Sequence, residues 1–299
     1  MILTATDKDV AEFGIDRSIS VMEKCFRDRC LGTFESPPRL HAKLSKGQMV
    51  FTAGGSITDN IAGFRAYTTF PEDQQITVVY NSATGHLYGL VEGALLGAYR
   101  TASIGALSIK YMSNSDSESL GIAGSGVQAL HQAMAALRVR SFSTIYVHSR
   151  NPDHLHSFAE RLRIYTDVPI NEMESPDEVA TASDVIITAT RSNTPLFSPG
   201  SVKSGAHIVA VGRKSAGSSE IDPAVADECS VLATDSPEQL ENYEPPHFMA
   251  GRSVSDLAHI ICGKHKGRFS PQDVTMFLSV GLSGTEVMLA KTILDRKIG

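Results

Sequence analysis

No run of about 18 uncharged apolar residues occurs in this chain, which excludes a membrane-spanning helix. The opening residues, MILTATDKDVAEF, lack a basic region followed by an apolar core, so no signal peptide is expected. The four cysteines, Cys25, Cys30, Cys229 and Cys262, form no CxxC pair and no framework. That fits buried thiols in a reducing compartment. No basic cluster stands out and the net charge is −6, which argues against a nucleic-acid partner. The ten histidines make no HExxH. His154 and His156 are two apart and point to different helix faces, so no metal site is expected. Ser125 lies between two glycines, but the GxSxG order of a hydrolase elbow is missing. Internal repeats and low-complexity tracts are absent too. What remains is a chain of 299 residues, 42% hydrophobic and 20% charged. Its size suits two domains, and its composition suits a cytoplasmic enzyme with no membrane partner.

What is present is organised around Leu120–Arg150, LGIAGSGVQALHQAMAALRVRSFSTIYVHSR. A short apolar run leads into Gly124-Ser125-Gly126-Val127-Gln128-Ala129. Apolar residues at helical spacing follow at Val127, Leu130, Met134 and Leu137, then a β-rich run from Thr144 to His148. Strand, glycine turn, helix and strand form the first half of a dinucleotide-binding unit, and Gly124, Gly126 and Ala129 match GxGxxG/A. Gly124 allows the tight turn, and Gly126 lets backbone approach a pyrophosphate. The helix N-terminus then offers free N–H groups and partial positive charge. This makes Gly124, Gly126, Val127 and Gln128 expected cofactor contacts. NAD enzymes place an acid at the end of the second strand. Here His148-Ser149-Arg150-Asn151 contains none. Ser149, Arg150 and Asn151 are expected at the cofactor ribose, with Ser149 and Arg150 suited to a 2′-phosphate. NADP(H) is therefore favoured and NAD(H) remains possible.

Around this unit the pattern changes twice. The first 30 residues read as helical, with a start at Thr6-Asp7-Lys8-Asp9. Met49–Thr52, Phe64–Thr69, Ile76–Asn81 and His86–Val91 read as a strand meander, with a hairpin loop at residues 81–85. Residues 92–112 form a long helix rich in Gly and Ala, and the polar stretch 113–117 marks a domain boundary. After Arg150, a helix from Pro152 to Leu162 is followed by the apolar runs Asp184–Ala189, His207–Val211 and Cys229–Ala233, which read as buried parallel strands. Val274–Phe277 is a further strand, and Ser283–Arg296 a last helix with a wide apolar face. The expected fold is α/β: a Rossmann-type doubly wound parallel sheet domain, residues 116–282, plus an α+β substrate-binding and dimerisation domain, residues 1–115 with 283–299. The last helix is expected to pack on the first 115 residues. The meander has apolar residues on more than one face, which a second subunit would cover.

Small acids are held by planar guanidinium forks. Three arginines suit this. Arg39 follows Pro37-Pro38, Arg65 sits in the otherwise apolar Phe64-Arg65-Ala66-Tyr67 strand, and Arg100 lies in the small-residue helix. Arg100-Thr101-Ala102-Ser103, followed by the GSGVQA turn, resembles the ornithine cyclodeaminase/mu-crystallin family. So do Pro38-Arg39, Gly63-Phe64-Arg65, Val211-Gly212 with Gly217 and Glu220, and Phe277-Leu278-Ser279-Val280-Gly281. The resemblance implies a homodimer of two-domain subunits that use a nicotinamide cofactor on small amino or imino acids. It implies that Arg39 and Arg100 bind the substrate carboxylate; Arg65 is expected to join them there and is the catalytic candidate. It also implies cofactor contacts at Thr101, Ala189, Thr190, Val211, Gly212 and Val280.

Two positions depart from the family pattern. Arg65 stands where the family commonly has lysine, and it cannot act as a general base because guanidinium is effectively never deprotonated. Lys214 stands where cyclodeaminases and alanine dehydrogenases of the family carry an aspartate in G-x-D-x-x-G. An ammonium cannot serve as the base for water attack unless its pKa is strongly lowered. Deamination is therefore disfavoured. Reduction of a protonated C=N bond survives, since it needs hydride, alignment and a clamped carboxylate. Ketimine reductases and pyrroline-2-carboxylate reductases resemble this kit and also lack the aspartate. The expected activity is NAD(P)H-dependent reduction of a cyclic imino acid, such as pyrroline-2-carboxylate or piperideine-2-carboxylate, to the L-amino acid. The alternatives are an amino-acid or opine-type dehydrogenase, a cyclodeaminase, or a crystallin-like protein that binds cofactor without turnover. Retention of Arg39, Arg100 and Thr101 argues against the last.

Overall fold

The structure is a computed structural model that describes residues 2–297; Met1 and the last two residues of the expected first domain lie outside it. The chain divides into two compact units, residues 1–103 with 281–299, and residues 104–280. The polar stretch 113–117, expected at the boundary, lies in the second of these units. The division falls inside the Leu95–Met112 helix, because a continuous helix carries the chain out of one unit and into the next.

The first unit begins with a strand, Leu3–Ala5, which helical spacing did not reveal. Thr6 and Asp9 form a capping box that starts the Asp7–Phe13 helix. The helix Ile15–Cys30 buries Ile15, Ile19, Met22, Cys25 and Phe26, a stripe at three- and four-residue spacing. The sheet runs in the order Leu3–Ala5, Leu87–Glu92, Gln75–Asn81, Ile61–Thr68, Gly47–Ser56, Phe34–Glu35, with Leu40–Leu44 also paired to Gly47–Ser56. Its pairings are antiparallel except that of the first strand. The final helix, Thr285–Asp295, packs on the Ile15–Cys30 helix and across the four central strands. Glycine in the sheet permits this contact: a Cβ at Gly63 would lie 2.9 Å from Val287 Cγ1.

The second unit holds an eight-stranded, wholly parallel sheet. Its order is Ile170–Glu172, Thr144–His148, Ser119–Ala123, Val185–Thr188, His207–Ala210, Thr275–Leu278, Val231–Thr234, Ser255–Asp256. This is the doubly wound α/β fold. Strand Thr275–Leu278, last in the chain, inserts between two earlier strands rather than adding at the edge. The strand order reverses between Ser119–Ala123 and Val185–Thr188, and such a switch point opens a crevice at the strand ends. Ile186, Ile208, Met276 and Leu278 form the core on one side of the sheet. Cys25 is buried, but Cys30, Cys229 and Cys262 are only partly so, which corrects the expectation of four buried thiols. Among the described residues no helix is long and apolar enough to cross a membrane, and no His/Cys/Asp/Glu group could hold a metal ion.

Two histidines are buried in this unit. His207 lies between the hydroxyls of Ser108, 3.1 Å away, and Thr275, 2.9 Å away. Burial pushes its pKa down to about 3, with Arg268 adding to the effect. Burial and the charge of Lys214 push His247 down to about 3 as well. In the unfolded chain both take up a proton near pH 6.5, roughly the ordinary histidine value. The unfolded state then binds more protons between the two values, so stability is lost as pH falls through that window. Urea unfolding should show a loss of about 2 kcal/mol per histidine between pH 7 and pH 5. Equal midpoints at the two pH values would contradict neutral, buried imidazoles.

Candidate functional site

Chemistry-bearing residues gather in one cluster in each unit. In the second unit an open groove of about 1490 Å³ lies over the switch point. It is lined by Gly124, Gly126, Val127, Gln128, Ser149, Arg150, Asn151, Ala189, Thr190, Val211 and Gly212. Gly124 has φ 128°, and a Cβ there would come 2.5 Å from the Ala189 carbonyl oxygen. Only glycine permits this turn. At Gly126 a Cβ would meet nothing within 4 Å, so the space it leaves open is groove. Gly126 is also the N-cap of the Val127–Val139 helix, and no side chain caps that end. The first N–H groups of the helix are thus available to an anion. Gln128 Oε1 is buried with no hydrogen-bond partner among the described residues. Arg161 supports the glycine turn from behind by donating to the Ser125 carbonyl at 2.8 Å. Open space, free donors and an orphaned acceptor fit a dinucleotide in this groove.

Some predicted contacts have other duties. Asn151 Oδ1 accepts from the backbone of Asp153 and His154, capping the next helix. The Ser149 hydroxyl lies 2.9 Å from that of Ser125. Asp153, an acid that strand-end reading passed over, borders the groove as well. Val280 is buried, donates its N–H to Asp235 at 2.8 Å and does not line the groove. Thr101 belongs to the first unit, where its hydroxyl donates to the Gly97 carbonyl at 2.8 Å. Lys214 is fully buried, and its ammonium donates to the carbonyls of Val211, at 2.9 Å, and Gly212.

In the first unit the structure brings Arg39, Arg65 and Arg100 together around Glu286, a residue that sequence reasoning missed. Arg100 Nη2 is 2.9 Å and Arg65 Nη1 3.2 Å from Glu286 Oε1. Arg65 also donates to Gln75, and its guanidinium lies 4.5 Å from the centre of the Tyr67 ring. The Tyr67 hydroxyl in turn accepts from Arg39 at 3.4 Å. Two glycines make room: a Cβ at Gly97 would be 2.3 Å from Arg65 Nη2, and one at Gly281 would be 2.4 Å from Arg39 Nη2. Burial alone would raise the Glu286 pKa, but Arg100, Arg65 and Arg39 outweigh it and hold the carboxyl below its usual value. Burial pushes Arg65 down, as does Arg100, while Glu286 pulls it back up. So engaged, Arg65 is a buried ion-pair partner of Glu286. Arg100 Nε has no partner among the described residues although it is buried. These four side chains carry three positive charges and one negative, an excess of two, which suits an incoming carboxylate.

The model of the ornithine cyclodeaminase/mu-crystallin family matches residues 1–299, and the chain belongs to that family. A Bacillus cereus Delta(1)-pyrroline-2-carboxylate reductase is 26% identical over 252 residues, 79% of this chain and 77% of that one. Among solved structures, the Thermococcus litoralis Delta(1)-pyrroline-2-carboxylate reductase in complex with NADH and L-proline superposes with a TM-score of 0.91, at 24% identity, over 99% of this chain and 98% of that one. An archaeal alanine dehydrogenase dimer with bound NAD gives a TM-score of 0.90 at 21% identity, over 99% and 96% of the two chains. The last two likenesses concern the fold.

Glu286→Gln would leave Arg65 and Arg100 without their shared charge. Breaking a buried ion pair by removing one partner costs about 3–5 kcal/mol. The variant should melt well below the parent chain in a calorimeter. Equal stability would mean that Glu286 does not organise the cluster.

Proposed function

We propose that this member of the ornithine cyclodeaminase/mu-crystallin family is an NAD(P)H-dependent reductase of cyclic imino acids, acting in the cytoplasm on a substrate of the pyrroline-2-carboxylate or piperideine-2-carboxylate kind. The observation that carries the reading is the cluster of Arg39, Arg65 and Arg100 around one buried carboxylate, with an excess of positive charge and a buried donor to spare. A carboxylate next to a C=N bond would be held by the guanidinium forks, which fixes the angle of the double bond. The nicotinamide, when bound, supplies hydride. The groove of the second unit would hold its pyrophosphate on the N–H groups at Gly126–Gln128. Lys214 supports reduction over deamination: its ammonium donates to backbone carbonyls, and a cation cannot activate water as an aspartate would. The activity of the Bacillus cereus relative supports the same reading.

Two finer points belong to the proposal. Arg150, exposed beside Ser149, supports a preference for NADPH through the 2′-phosphate. A homodimer is supported by the outer face of the first sheet. There Leu40, Phe51, Ala66 and Ile76 form one cross-strand row, and Ala53, Phe64, Val78 and Leu90 the next. Leu40 is 69% exposed and Ile76 36%, an apolar surface that a second copy would cover.

The activity is tested by following NADPH and NADH absorbance with pyrroline-2-carboxylate, piperideine-2-carboxylate, and pyruvate plus ammonia or methylamine. Consumption with a cyclic imine is expected, with Arg100→Ala lower in kcat/KM by about a hundredfold or more and Arg100→Lys recovering little. Arg150→Ala should raise the NADPH KM by about tenfold and leave that of NADH nearly unchanged. Near-normal imine reduction by Arg100→Ala would sink the carboxylate clamp. Sedimentation at micromolar concentration should give a dimer, and Phe51→Asp should give a monomer; a monomeric parent chain would remove the role assigned to the outer face.

A further inference from the structure

Glu220 is fully buried and takes no part in either cluster as a lining residue. Its carboxylate nevertheless accepts four hydrogen bonds. Oε1 accepts from the Thr188 hydroxyl and the Gly212 N–H, both at 2.7 Å. Oε2 accepts from the Thr190 N–H at 2.8 Å and the Thr190 hydroxyl at 2.6 Å. Thr188 ends strand Val185–Thr188, Thr190 lies on the turn after it and Gly212 on the turn after strand His207–Ala210, and both turns line the groove. The fit is tight enough that a Cβ at Gly212 would be 2.1 Å from Glu220 Oε2. The same Gly212 peptide is gripped from its other end, because its carbonyl and that of Val211 accept from the buried Lys214 ammonium. A carboxylate thus holds the N–H of the turn and an ammonium holds its carbonyls. Hydrogen bonds to charged groups are the stronger kind, and a turn held at both ends by them cannot rotate its peptides away from the groove.

We propose that Glu220 and Lys214 are a pair of positioning residues of opposite charge that set the Val211-Gly212 and Ala189-Thr190 turns for the nicotinamide cofactor. The inference rests on the nucleotide reading of the groove. It gives Lys214 a role at the position where family members carry an aspartate: the ammonium shapes the cofactor wall and performs no proton transfer. In Glu220→Gln an NH2 group faces two of the four donors. In Lys214→Met the two carbonyls lose their cation.

The test measures NADH and NADPH dissociation constants by nicotinamide fluorescence for the parent chain and both variants, with circular dichroism and melting curves to establish folding. Each folded variant should bind both cofactors about tenfold or more weakly. In steady state the cofactor KM should rise while the imine KM stays within about threefold of the parent value. Should either variant fail to fold, Thr190→Val, which removes a single donor to Glu220, should still weaken both cofactors by about threefold. Dissociation constants within about twofold of the parent in folded variants would overturn the inference. So would a Lys214→Met enzyme with intact cofactor binding and a collapsed kcat, since Lys214 would then act in the chemistry. A parent chain that binds neither cofactor would overturn the nucleotide reading itself, and this inference with it.

Discussion

A buried carboxylate is tolerable only where partners neutralise it, and the first unit is arranged to supply them to Glu286. That residue stands in the first turn of the Thr285–Asp295 helix, where negative charge also suits the helix dipole. Arg65 reaches it from a central strand and Arg100 from the Leu95–Met112 helix, with Arg39 adding its charge. The glycines at 97 and 281 are required by the same contact, since side chains there would occupy the guanidinium positions. The cluster therefore forms only when the C-terminal helix docks on the sheet. The segment after residue 280 consequently belongs to the first unit despite its place in the chain.

The second unit solves a different problem with the same means. A parallel sheet delivers its strand ends to one edge, and the switch in strand order leaves a crevice there. The crevice is only as well shaped as the turns that line it. Hydrogen bonds from Ala189 to Ala123 and from Val211 to Thr188 continue the sheet pairing into those turns. Buried charges at 214 and 220 then hold the peptides beyond the last strand residue. In the first unit Arg65, Arg100 and Glu286 are all buried, and in the second Lys214 and Glu220 are buried behind a groove at which Gly126 and Arg150 are exposed. Burial keeps these charged interactions strong, because water does not compete for them.

Much of this was legible from local signals. GxGxxA between a strand and a helix located the groove. Apolar runs of four to six residues located the central strands, and helical spacing located the long helices to within a few residues. The shortest elements escaped because they bury too few residues to create a period. Their caps were nonetheless written in the chain: Ser175-Pro176, Asp222-Pro223 and Ser236-Pro237 each start a short helix with a capping side chain and proline in the first turn.

The sequence by itself determined the class of fold, the glycine turn and the three arginines, because each of these depends on residue type and near-neighbour spacing. Tertiary structure alone decided what the arginines face, where Val280 and Thr101 lie, and what Lys214 does. Glu286 looked like one more acid in an amphipathic helix, and Glu220 carried a family resemblance but no stated role. Their meaning comes from donors brought in by distant segments, 221 residues away for Arg65 and 32 for Thr188. No local periodicity records such pairs, because the energy of a buried ion or hydrogen bond depends on which partners arrive in space and on the exclusion of water around them.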